Sequence, residues 1–115
     1  MKKVRVIFSP EAEEVYKHLN EISQSSKIDR SILNAINKKV GLIKANIHYG
    51  EPIAKRLIPE EYKIKYEATN LFRVELPSFW RMLYTLTNGE SQIEIVAFVL
   101  DVLNHKEYDK KFGYK

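Results

Sequence analysis

The chain has 115 residues, 44% of them hydrophobic and 30% charged, with 19 Lys+Arg against 15 Asp+Glu, a net charge of +4 and no cysteine. That suffices for one domain with one core over residues 1–115, and it excludes a disulfide scaffold, a cysteine nucleophile and every cysteine-containing zinc site. The histidines, His18, His48 and His105, lack metal-ligand spacing, so neither a metal nor another cofactor is expected. No signal peptide or membrane span can be drawn, and a cytoplasmic protein without a membrane partner is the expectation. The positive excess lies in residues 1–50, which permits nucleic-acid binding without demanding it.

Lys3 to Phe8 reads as a strand, with Val4, Val6 and Phe8 on one side. Ser9-Pro10 followed by Glu11, Glu13 and Glu14 starts a helix: a capping serine, proline at the first helical position, and acids against the positive end of the dipole. Ala12, Val15, Tyr16, Leu19 and Ile22 form its apolar stripe, and it should stop near Ser23. A second helix presents Ile32, Ile36, Val40, Ile43 and Ile47 inward, leaves Lys38, Lys39 and Lys44 wet, and closes at Tyr49-Gly50. Glu51 to Glu61 reads as a long connection, with Tyr62-Lys-Ile-Lys-Tyr66 as a short extended piece.

From Leu71 the apolar period becomes two. Leu71 to Leu76, Trp80 to Leu86 and Gln92 to Leu100 are strands, separated by Pro77-Ser78-Phe79 and by a turn containing Asn88-Gly89. The order is β-α-α-β-β-β: an α+β single small domain, a two-helix hairpin packed on a predominantly antiparallel twisted sheet. If Leu76 faces Trp80, then Phe72, Val74, Leu76, Trp80, Met82 and Tyr84 lie under the helices, while Arg73, Glu75, Arg81 and Leu83 share the other face. Closing the Asn-Gly hairpin at Thr87 and Glu90 adds Ile93, Ile95 and Ala97 to the core face. It adds Val96, Phe98 and Leu100 to the other, too apolar a set to stay wet, so cover by the C-terminal tail, by a partner or by both is expected.

The tail, Asn104-His-Lys-Glu-Tyr-Asp-Lys-Lys-Phe-Gly-Tyr114, concentrates an imidazole, two phenols and several cations. As a helix it would bring His105, Tyr108 and Phe112 to one side. One reading is that these residues simply dock the tail on the sheet. The other is metal-free cleavage of RNA by its own 2′-hydroxyl, which needs a proton acceptor, a proton donor and fixed cations for the charge that develops at phosphorus. His105 and Tyr108 can exchange protons, Arg73 and Arg81 suit a phosphate, and Tyr108, Tyr114 and Phe98 can stack on unpaired bases.

The element order, the pair Asn70-Leu-Phe-Arg-Val-Glu-Leu-Pro77 and Phe79-Trp-Arg-Met-Leu-Tyr84, and the closing His105-x-x-Tyr108 resemble the RelE/ParE superfamily of toxins from type II toxin–antitoxin systems. His-Lys-Glu-Tyr-Asp-Lys is similar to the HigB-like branch. The resemblance implies a metal-independent mRNA interferase acting on ribosome-bound message, with Arg81 on the scissile phosphate, Arg73 as a second cation, and Tyr108 with His105 at the acid/base positions. It also implies a cognate antitoxin as partner; the aromatics without an assigned place, Tyr49 among them, leave room for a homodimer.

The chain departs from the pattern at Glu75, which stands where RelE proper carries a lysine and which the register sets opposite Arg81. Arg56, Lys63, Lys65, Lys106, Lys110 and Lys111 are the candidates for restoring positive charge toward RNA. Two alternatives share the fold: a ParE-like gyrase inhibitor that cleaves nothing, and a degenerate toxin fold retained as a protein–protein interaction module.

Overall fold

The computed structural model describes residues 3–88 and 94–113. Strand β1 (Lys3–Phe8) leads into helix α1 (Pro10–Ile22), whose first turn is capped by Ser9: its hydroxyl oxygen accepts from the Ala12 N–H at 3.0 Å and its O–H donates to the Leu100 carbonyl at 2.6 Å. One buried side chain thus caps a helix and ties it to the sheet. Helix α2 (Lys27–Ala45) starts from Ser26.

The expectation that α2 runs to Tyr49-Gly50 is corrected. Asn46 leaves the helix in an extended conformation, and its side chain then accepts from the His48 N–H, a local bond that competes with continued helix. Gly50 serves a different purpose. Its N–H donates to the Tyr84 hydroxyl at 2.9 Å, and a Cβ there would lie 2.8 Å from the Tyr84 ring, so glycine permits the close approach.

The expected connection holds more structure than its prolines suggest. Glu51–Pro52 forms a two-residue strand β2, Lys55–Leu57 a 3₁₀ turn, and Glu60–Tyr66 helix α3. The extended reading of Tyr62 to Tyr66 is therefore corrected. Tyr62 and Tyr66 are four apart, a spacing that a helix and a period of two both satisfy. Glu60 and Glu61 in the first turn and Lys63 and Lys65 in the last favour the helix through its dipole.

Strands β3 (Phe72–Glu75), β4 (Arg81–Asn88) and β5 (Glu94–Leu103) precede helix α4 (His105–Phe112). The sheet order is β1-β5-β4-β3-β2, with β1 parallel to β5 and every other pair antiparallel. The β3–β4 register is the expected one: Phe72 faces Tyr84 and Glu75 faces Arg81. The β4–β5 register is not. Thr87 pairs with Val96 rather than closing on Glu90. Gly89, Glu90 and Ile93 lie outside the described residues. The slip is even, so the sides survive it.

A bulge lets Leu83 pair with Asp101 and Tyr84 with Val99, leaving Leu100 unpaired between them. Val99 and Val102 therefore face the first core, while Leu100 and Leu103 face the second and Asp101 turns toward Tyr62 on that same side. The first core packs α1 and α2 on the sheet through Ala12, Leu19, Ile32, Ile36 and Ile43. The second packs Tyr62 of α3 and Tyr108 of α4 over Leu71, Leu83, Leu100 and Leu103. The molecule is thus α+β with a helical layer on each sheet face, and the expected cover by the tail is present, shared with α3. Among the described residues no helix is long and apolar enough to cross a membrane.

Candidate functional site

The site begins with two adjacent strands. Because Phe72, Val74, Met82 and Tyr84 are committed to the first core, strand alternation sends Arg73, Glu75 and Arg81 to the opposite face. Arg81 also pairs with Leu103 at the end of β5, so the first turn of α4 starts beside it. Asn104 and Glu107 close that turn as a reciprocal capping box, which fixes the angle at which α4 folds back over the sheet. Tyr108 then falls onto the arginines.

Arg73 donates from Nη1 to the Tyr108 hydroxyl at 3.0 Å and from Nη2 to Glu51 at 2.8 Å. Both contacts hold its guanidinium protonated more firmly than usual, Tyr108 first and Glu51 second. The Arg81 guanidinium lies 5.2 Å from the centre of the Tyr108 ring, a cation over a π-face, and Arg73 lies 6.0 Å from the same ring. Arg81 Nη1 also donates to the Phe79 carbonyl.

Glu75 bridges the two. Its Oε1 is 3.5 Å from Arg73 Nε and its Oε2 is 3.0 Å from Arg81 Nε. Neither Nε makes an aligned hydrogen bond among the described residues, so this bridge is charge against charge without good geometry. The Glu75 side chain is 58% exposed while that of Arg81 is 15% exposed. The arginines are held by Tyr108, Glu51 and the Phe79 carbonyl, and the Glu75 carboxylate is the more exposed end of the bridge.

Four expected site residues therefore separate into two kinds. Arg73, Arg81 and Tyr108 converge, but Tyr108 is 3% exposed, stacked on Phe112 at 4.5 Å, and docks the tail. His105 stays on the surface, 58% exposed, 3.2 Å from Asp109 and 5.9 Å from the Phe79 ring.

The candidate RNA-contacting residues scatter. Lys65 pairs with Glu11 at the start of α1, Lys63 lies 3.8 Å from Glu60, and Lys111 is held by Glu61 and Asp101 over the Tyr62 ring. Arg56 is exposed on the 3₁₀ turn, and Lys106 and Lys110 are exposed on α4. Tyr114 lies outside the described residues.

Two members of the site were not foreseen. Glu51 reaches Arg73 because β2 pairs it directly opposite that residue, and nothing in a proline-containing connection signals a strand of two residues. Phe79 carried a weak signal: an aromatic in a three-residue loop between strands, where small turn residues are usual.

Chemically, two braced guanidinium groups held by one bridging carboxylate make a site for an oxyanion with two oxygens to share. Among the described residues no group of three or more His, Asp or Glu could hold a metal ion. Comparison with protein-family models, with curated proteins and with solved structures gives no match.

Proposed function

We propose that the protein is the toxin of a type II toxin–antitoxin system and a metal-independent endoribonuclease of the RelE/HigB-like kind, acting on mRNA at the ribosome and neutralised by a cognate antitoxin. One observation carries the reading: the Glu75 carboxylate spans Arg73 and Arg81, one oxygen to each, as two oxygens of a phosphodiester would. The carboxylate is the exposed member of this bridge and makes no aligned hydrogen bond to either Nε, so the bridge is a weak one that an incoming phosphate can displace. The arginines stay where Tyr108 and the Phe79 carbonyl hold them.

In this reading the 2′-oxygen attacks phosphorus, the P–O5′ bond breaks, and a 2′,3′-cyclic phosphate and a 5′-hydroxyl result. Arg73 and Arg81 stabilise the charge on the phosphorane. His105, being exposed, takes the proton of the attacking 2′-hydroxyl and returns it to the leaving 5′-oxygen, and Tyr108, being buried, positions Arg73 instead of transferring a proton itself.

The test is cleavage of mRNA by the purified protein, free and on translating ribosomes. Fragments ending in cyclic phosphate, lost in Arg81→Ala and His105→Ala, are the expected result; intact message in both settings overturns it. A second reading has its own observation: Glu51 and Glu75 together offset both arginine charges, as in an interaction module that no longer handles RNA. That module would leave message intact and would not arrest growth when expressed without a partner.

A further inference from the structure

The β3–β4 connection reverses on a turn in which the Trp80 N–H donates to the Pro77 carbonyl at 3.3 Å, and both residues between them, Ser78 at φ 58° and Phe79 at φ 62°, are left-handed. Asparagine and glycine occupy such positions without strain; a phenylalanine does not. Burial does not hold the ring there either, since Phe79 is 70% exposed. The ring therefore stands in water on a strained backbone, a combination that concentrates at functional sites. Its surroundings say what it could bind. The same residue's carbonyl anchors Arg81, its ring flanks His105 at 5.9 Å with a tilt of 54°, and the Glu75-bridged arginine pair begins two residues away.

We propose that Phe79, flanked by His105, is a stacking platform for one unpaired base of a single-stranded RNA whose adjoining phosphate replaces Glu75 between Arg73 and Arg81. This rests on the RNA-directed reading above and adds to it a base-binding subsite. An open aromatic face beside cations is how single strands are held without regard to sequence. The arrangement predicts that the subsite is tolerant of base identity, because every base offers a π-face and the ring offers no hydrogen-bonding group.

The experiment measures binding of a 2′-O-methyl oligonucleotide, which cannot be cleaved, by fluorescence anisotropy, using wild type, Phe79→Gly and Phe79→Trp. Glycine accepts the positive φ, so Phe79→Gly should fold at least as stably as wild type, which thermal unfolding checks. Binding should weaken roughly 5- to 100-fold in Phe79→Gly and recover in Phe79→Trp. The loss should vanish on a strand made abasic at its central positions. Equal binding by wild type and Phe79→Gly overturns the platform and leaves the ring to a protein contact. A loss that persists on the abasic strand, or a lowered thermal midpoint in Phe79→Gly, overturns it as well. If wild type binds no oligonucleotide and cleaves no mRNA, the RNA-directed reading falls and the platform with it; cleavage with no Phe79 effect sinks the platform alone.

Discussion

The two faces of the sheet are built from different materials. Under α1 and α2 the buried core is apolar, aliphatic side chains around the stacked pair Phe72–Tyr84, and the phenol buried there, Tyr84, spends its hydroxyl on backbone groups, donating to Ile47 and accepting from Gly50. Under α3 and α4 the core is smaller and threaded with side-chain charge: Tyr62 on Asp101, Lys111 on Glu61 and Asp101, Tyr108 on Arg73. A hydrophobic layer tolerates no unpartnered charge, and Asp101, Lys111 and Arg73 lie on the face where each finds a partner. One face supplies the fold, and the other supplies groups that a ligand could rearrange.

The largest effect is expected in the first core. Ile36 is fully buried on α2, and Ile36→Ala should lower unfolding free energy by about 2–5 kcal/mol, measured by urea denaturation. The second face should respond to smaller chemistry. Tyr62 donates to Asp101 at 2.6 Å, and burial together with that carboxylate pushes the phenol well above its ordinary pKa. Tyr62→Phe removes no packing volume to speak of but strips a nearly buried carboxylate of one donor, so a loss of about 1–3 kcal/mol is expected in the same assay. A change near zero would mean that Lys111 alone satisfies Asp101.

How legible each face was follows from the same contrast. The first core announced itself: Ser9-Pro10, the stripe from Ala12 to Ile22, and the alternation of Phe72, Val74, Met82 and Tyr84 all report one buried side, and the Glu75–Arg81 pairing followed from them. The second face was written more faintly. Helix α3 buries Tyr62 and leaves Ile64 75% exposed, so no stripe marks it as a helix. The β4–β5 slip kept Ala97, Phe98 and Leu100 on their expected sides because its length is even, which is why an incorrect turn did not spoil the site. Convergence of Arg73, Arg81 and Tyr108 was readable because strand alternation and helix spacing are local. The depth of Tyr108 was not, because it depends on where α4 lies, and that is set by a capping box and by Leu103 reaching across to Arg81.

Glu75 separates the two functional readings. Glu75→Gln keeps the size of the side chain and removes the charge that bridges the arginines. Stability should change by under about 1 kcal/mol, since the pair is largely exposed on the acid's side. Affinity for the 2′-O-methyl strand should rise several-fold, about tenfold at most, with a steeper dependence on salt as one more phosphate contact becomes available. Unchanged affinity would show that the carboxylate does not compete with phosphate, and would favour the interaction module.

The smallest expected effect comes from the point where the two helical layers meet. Lys65 and Tyr66 of α3 both hydrogen-bond Glu11 in the first turn of α1, and with Lys65 as the larger influence they lower the Glu11 carboxyl from its ordinary 4.5 to about 2. A carboxyl whose pKa is depressed by folding contributes stability above its unfolded value, and that contribution disappears as the pH falls through the folded one. The tie should therefore be intact at pH 7 and fade between about pH 4.5 and pH 2. Glu11→Gln should lower the urea midpoint at pH 7 and approach wild type near pH 2, and because the pair is exposed the difference should shrink in high salt. An equal deficit at both pH values would mean that Glu11 acts through packing or through capping of α1 and not through its charge.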